Sequence, residues 1–188
     1  EAAARWDEEN IGKSTLTAEQ MDALSVMKVS VSSHLGASKM LSKGEAETSL
    51  FWTEKYTGLP CRIRPDWMFG GGIADIKSCI SASKVDFAKA VANFTYDIQA
   101  AFYIDGMKEV TGEAVDFFFI AVEKSAPYST ACYKASQEMI EVGRTKYRGA
   151  LELLKWCQEN NSFPGYQPSG EIETIDLPRW AANFDLED

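Results

Sequence analysis

The stretch Arg62-Ile-Arg-Pro-Asp-Trp-Met-Phe-Gly-Gly-Gly-Ile-Ala-Asp-Ile-Lys77 constrains the chain more than any other. Residues 61–68 and 73–79 are rich in β-formers. Between them Phe69-Gly-Gly-Gly72 supplies residues that accept positive φ. The segment is therefore expected to form two strands joined by a glycine turn, with Asp66 on the first and Asp75 and Lys77 on the second. Side chains alternate along a strand, so Asp75 and Lys77 share a face with Cα atoms about 6–7 Å apart. Ala74, Ile76 and Ser78 face the other way. On the first strand Arg62, Arg64 and Asp66 share a face, while Cys61 and Ile63 point into apolar surroundings. Pro65 cannot donate to a ladder, which predicts a bulge or an edge position that re-aims Asp66.

Two carboxylates and a lysine brought together in this way suit metal-dependent phosphodiester chemistry. Mg²⁺ takes oxygen ligands and keeps several waters. Asp66, Asp75 and the backbone carbonyl of Ile76 offer such ligands, and the metal would orient and help deprotonate a water. Lys77 would hold the nucleophilic water or the scissile phosphate as a point charge. A bare Asp-x-Lys is usually a solvated surface pair. The preceding Asp, the hairpin and a helix further on favour the functional reading.

At 188 residues the chain is long enough for a real core. No apolar run approaches the ~20 residues needed to span a bilayer, and the N-terminus lacks a signal-peptide pattern. Cys61, Cys79, Cys132 and Cys157 lie far apart, as reduced thiols of a cytoplasmic protein would. The net charge of −9 argues against coating nucleic acid along the whole surface. A local basic track remains, with Lys55, Arg62, Arg64, Lys77, Lys84 and Lys89 set against Asp66, Asp75 and Asp86. Two of those three acids are the proposed metal ligands.

Residues 1–10 are expected to be helical. Gly12-Lys-Ser-Thr15 lacks the glycine and the preceding strand of a phosphate loop. Thr17-Ala-Glu-Gln20 is a capping box that opens a helix running to Ser32 or His34, broken at Gly36 and followed by a short helix to Lys43. His34, the only histidine, has no second ligand at helical spacing and reads as a helix-end residue. Residues 45–52 read as the first strand, which brings Glu47 near the metal site or leaves it a solvated strand carboxylate. Ser83 caps a helix through Val85, Phe87, Val91 and Phe94. A second helical run ends near Gly106 or Gly112. On it Gln99 and Tyr103 share a face at i, i+4, placed either to touch the phosphate and Lys77 or as amphipathic core edge. Residues 115–122 suit a strand buried on both faces, 128–134 an outer strand, and 137–158 a long amphipathic helix. The order of helices, three strands, helix, two strands and helix predicts an α/β domain with a mixed central sheet flanked by helices.

The chain resembles the C-terminal nuclease domain of the exonuclease VIII (RecE-type) recombination exonucleases. These belong to the RecB-like branch of the PD-(D/E)XK superfamily, with its restriction-endonuclease-like core. The resemblance is carried by Cys61-Arg-Ile-Arg-Pro-Asp66, Ile73-Ala-Asp-Ile-Lys77, Gln99-Ala-Ala-Phe-Tyr103-Ile-Asp-Gly106, Leu177-Pro-Arg-Trp-Ala181 and Glu45-Ala-Glu-Thr-Ser49. It implies a nuclease core over residues 45–188 with a C-terminal tail, after an N-terminal helical segment at 1–44 that follows a missing helix. It implies that Asp66, Asp75 and the Ile76 carbonyl bind Mg²⁺, with Mn²⁺ able to substitute, and that Lys77 is catalytic. It gives Gln99, Tyr103 and Arg64 a role in organising DNA and the active site, with Glu47 as an accessory. The implied activity is 5′-to-3′ digestion of linear double-stranded DNA in a bacterial cytoplasm, leaving 3′ overhangs for a RecT-type annealing protein. The implied assembly is a ring-shaped homotetramer threaded by DNA, with no membrane association. Relatives carry an upstream helix with a histidine in a G-x-x-x-H setting that nothing here matches, which leaves metal number open. A PD-(D/E)XK endonuclease, or a catalytically incomplete DNA-binding or assembly fragment, are the alternatives.

Overall fold

A computed structural model describes residues 5–6, 10–13 and 15–178. Arg5 and Trp6 are helical. Of the helix expected over residues 1–10, Asn10 lies in a turn; residues 1–4 and 7–9, the Ser14 of the Gly-Lys-Ser-Thr segment, and Arg179, Trp180 and Ala181 of the tail motif lie outside the described residues. The chain falls into two compact units, Glu1–Glu152 and Leu153–Asp188.

In the first unit Thr17 caps α1 (Ala18–Ser33) in a complete capping box with Gln20. α2 (Leu35–Leu41) follows at once, and His34 is the hinge between the two. The His34 Nδ1 accepts from the Ala37 N–H at 3.2 Å, so the histidine ends one helix and caps the next. Gly36 does not break the helix as expected; it sits inside α2, and the break falls at His34.

Two expected strands become four. Residues 45–52 split into β1 (Glu45–Ala46) and β2 (Leu50–Thr53). The chain turns at Glu47, whose φ of 56° is left-handed. Residues 61–68 split into β3 (Pro60–Ile63) and β4 (Trp67–Phe69). The break falls at Arg64-Pro65-Asp66, where the missing N–H of proline ends the ladder. β2 and β3 pair as a separate two-stranded antiparallel sheet. Trp52 of that sheet packs on Phe102, with ring centroids 5.1 Å apart. β5 (Gly72–Cys79) follows the Gly70-Gly71 turn. Gly72 has φ 146°, and a Cβ there would meet the Asp116 carbonyl oxygen at 2.2 Å. Only glycine satisfies both demands.

Ser83 caps α3 (Lys84–Asn93), its hydroxyl accepting from the Asp86 N–H. α4 (Tyr96–Thr111) ends on Gly112 at φ 77°. Gly106 does not end that helix; it is buried inside it, where a Cβ would lie 2.6 Å from the Trp52 ring. β6 (Asp116–Glu123), β7 (Thr130–Lys134) and α5 (Gln137–Glu159) complete the chain. The main sheet runs β1-β4-β5-β6-β7. β5 and β6 are parallel and the other neighbours antiparallel, so the sheet is mixed as expected. The α3–α4 crossover joins the parallel pair.

Helices cover both faces. Ile73, Phe117, Phe119 and Ala121 pack with Phe87, Ala100, Ala101, Ile140 and Tyr147 on one side. Ala74, Ile120 and Val122 pack with Val31 and Ala37 on the other. β6 alternates between the two cores, which accounts for its nearly unbroken apolar run. No helix among the described residues is long and apolar enough to cross a membrane. All four cysteines are free.

Candidate active site

Ile73 faces the α3–α4 side of the sheet, and strand alternation puts Asp75 and Lys77 on that side too. Asp75 is 1% exposed. Its Oδ1 accepts from Gln99 Nε2 at 2.8 Å. Its Oδ2 lies 2.6 Å from Lys77 Nζ in an ion pair and has no hydrogen-bonded partner besides. Burial pushes the Asp75 carboxyl up; Lys77 opposes that rise, Asp66 adds to it, and Gln99 opposes it. The site thus holds a charge that the fold by itself disfavours.

Asp66 occupies the bend before β4 rather than a strand. The β4–β5 ladder reaches only to Trp67 opposite Ala74, which leaves the edge of β5 open beyond that pair. Asp66 fills the gap, its Oδ2 accepting the Ile76 N–H at 2.9 Å. The N–H and C=O of one residue in an extended strand leave by the same edge. The Ile76 carbonyl therefore emerges on the Asp66 side. The break at Pro65 re-aims Asp66 by removing it from the ladder, a larger change than a bulge.

The remaining candidates surround this pair. Tyr103 donates its hydroxyl to the Arg64 carbonyl at 3.4 Å. Arg64 Nε lies 2.7 Å from Glu47 Oε2 and donates to the Glu47 carbonyl. The Glu47 N–H donates to the Asp66 carbonyl at 3.3 Å. Glu47 is therefore beside Asp66 through its backbone, off the strand on which it was expected, and its carboxylate is engaged by Arg64. An exposed pair of this kind contributes little stability and exchanges partners readily.

One contact was missed. Lys77 Nζ lies over the ring of Tyr96, 4.6 Å from its centroid. Tyr96 stands three residues before Gln99 and seven before Tyr103, on the same helical face. That spacing was present in the sequence, without a reason to weigh it. His34 lies against Cys132, its Nδ1 3.4 Å from the sulfur, and is held in helix capping.

The oxygen donors fit a hard divalent cation such as Mg²⁺. Two carboxylates and a backbone carbonyl converge, and the buried Asp75 Oδ2 is met by a lysine alone. Among the described residues no group of three or more His, Cys, Asp or Glu converges. Waters and substrate oxygens would complete such a shell, as is usual for Mg²⁺.

A mixed sheet between helical layers, with this Asp…Asp-x-Lys set at the parting of two strands, defines a PD-(D/E)XK-type core. The chain belongs to the family of PDDEXK-like domains of unknown function (DUF3799), whose model matches residues 2–178. No curated protein matches the sequence. Among solved structures the chain is similar to a "Putative exonuclease" from Eubacterium rectale, with TM-score 0.65 and 16% identity over 96% of this chain and 74% of that one. SSO0001 superposes with TM-score 0.39 at 14% identity over 76% and 59%. The family match and the mixed sheet flanked by helices give the restriction-endonuclease-like α/β core expected from the sequence.

Proposed function

We propose that the chain hydrolyses phosphodiester bonds in DNA, as a Mg²⁺-dependent exodeoxyribonuclease acting on linear double strands. The observation that carries this reading is the meeting of Asp66 and Asp75 across Ile76, with Lys77 against Asp75. The PDDEXK-like family and the exonuclease name of the E. rectale protein support a nuclease. Held by Asp66, Asp75 and the Ile76 carbonyl, the cation would polarise the scissile phosphate and acidify the attacking water. Lys77 supplies a positive charge beside that water. Gln99 fixes the Asp75 carboxylate, and Tyr103 ties α4 to the backbone of Arg64. The Arg64 guanidinium is free to leave Glu47 for a DNA phosphate, whose two terminal oxygens also match its fork of donors. The 5′-to-3′ polarity, the 3′ overhangs, the ring tetramer, the RecT-type partner, the use of Mn²⁺ and the bacterial cytoplasm follow from the resemblance to RecE-type enzymes.

The test is digestion of a 5′-phosphorylated linear duplex with Mg²⁺, beside the same DNA as a closed circle. Loss of the linear form alone, and no loss with Lys77→Ala, is the expected result. Cutting of the circle would make the chain an endonuclease. Equal activity from Lys77→Ala would remove the catalytic assignment. Retained DNA binding without cleavage would make it a binding module.

A further inference from the structure

Lys77 is attached to β5 by four flexible methylene bonds, and among the described residues two groups restrain its end. One is the Asp75 carboxylate, 2.6 Å away. That anchor is the one a bound cation would share, so it cannot alone fix the lysine in a loaded site. The other is the face of Tyr96. Tyr96 is the first residue of α4, three residues from the Gln99 that grips Asp75. Its ring is itself well held. It packs against Phe119 at 6.1 Å and Phe87 at 6.4 Å, and Phe94 stacks on it at 5.6 Å with an interplanar angle of 25°. Thr95 before it takes a left-handed φ of 54°, which lets α3 and α4 meet at this point. Lys77 is only 18% exposed, so the cation–ring contact is largely out of water, where such contacts are strongest.

We propose that Tyr96 is the positioning residue for Lys77. The negative face of its ring holds the ammonium in the site independently of Asp75, through the π-system rather than the hydroxyl. The proposal rests on the catalytic assignment of Lys77, but the placement itself can be read without activity. A ring face shields protons above it, so the Lys77 ε-methylene resonances in isotope-labelled protein, assigned against Lys77→Arg, are expected upfield of the other lysines. They should return to the common position in Tyr96→Leu. Unshifted wild-type resonances would overturn the proposal whatever the activity. Shifted resonances in a chain that cuts no DNA would keep the placement and sink the nuclease reading.

Where cleavage is observed, Tyr96→Leu is expected to lower kcat about tenfold, on the scale of a desolvated cation–π contact, with KM changed less than about threefold. Tyr96→Phe keeps the face and should recover most of that loss. Loss of helix packing would lower kcat through unfolding, so thermal melts of each variant run beside the kinetics. Replacing Tyr96 by phenylalanine analogues of increasing fluorination keeps the shape and removes the ring's negative face. A stepwise fall in kcat across that series at constant melting temperature supports the proposal. A flat series, or a Tyr96→Phe as slow as Tyr96→Leu, overturns it.

Discussion

Asp75 concentrates the tension between folding and chemistry in one side chain. It is almost wholly buried, and burial pushes its carboxyl up. Its ionised form therefore opposes folding, and the penalty fades as pH falls through its raised folded-state value. Asp75→Asn keeps an oxygen for Gln99 and removes the charge. It is expected to abolish cleavage while raising Tm by about 2–4 °C, the shift that ~1 kcal/mol gives in a chain of this size. Calorimetry of the two proteins at neutral pH checks the sign; a lower Tm would mean that the Lys77 pair outweighs the cost of burial. In the sequence Asp75 and Lys77 could be placed on one face by strand alternation alone. The grip of Gln99 was legible as an i, i+4 face shared with Tyr103. The burial of Asp75 was not, because it depends on α4 folding back over β5, which no local pattern encodes.

Among the elements, α4 and α5 are tied together in part by a polar cluster around Asp105. Arg144 reaches Asp105 with Nε and Nη2, each at 2.7 Å, and the Tyr147 hydroxyl donates to the same carboxylate. Burial pushes the Asp105 carboxyl up, but Arg144 and Tyr147 outweigh it and hold it below the usual range. Burial, with the Asp105 carboxylate, pushes the Tyr147 phenol up to about 12. A depressed carboxylate stabilises the fold above its unfolded value, near 3.9, and that contribution is lost as pH falls through the folded value. Urea unfolding between pH 7 and pH 3 should show a steep acid limb that Asp105→Asn flattens, with ~2 kcal/mol lost at neutral pH. Equal acid limbs in both proteins would disprove the linkage. Gly72 fixes the other end of β5. Gly72→Ala forces a side chain onto Asp116 and is expected to cost about 3 kcal/mol or more in the same assay. The long periodic elements, α5 and β6, could be read from sequence because each carries its own pattern. The break at Glu47 could not be placed, and Pro65 marked a disturbed ladder without showing that the chain there passes from one sheet to another. Each divides a β-rich run between two sheets, and that choice is made by distant partners such as Phe102 beneath Trp52.

For the whole molecule, the proposed function requires an acidic chain to meet DNA, and the electrostatics of that meeting are decided at the site. Two carboxylates face one lysine there, so without a divalent cation the site repels phosphate. Fluorescence anisotropy with a duplex end should show affinity falling when EDTA replaces Mg²⁺, and Asp75→Asn should lose this dependence. Affinity that is equal with and without the cation in wild type would place DNA contact elsewhere. The ring expected from the resemblance is checked by light scattering across concentrations, where a constant monomer mass would contradict it. The parting of β4 from β5 has a consequence of another kind. The Ile76 amide is held by a side chain, just past the point where the β4–β5 ladder ends. Its hydrogen-exchange rate is therefore a gauge of where the Asp66 carboxylate is spending its time. A cation that draws Asp66 away would loosen this one proton while its neighbours in β5 stay protected, so occupancy of the site could be followed by exchange at a single backbone position.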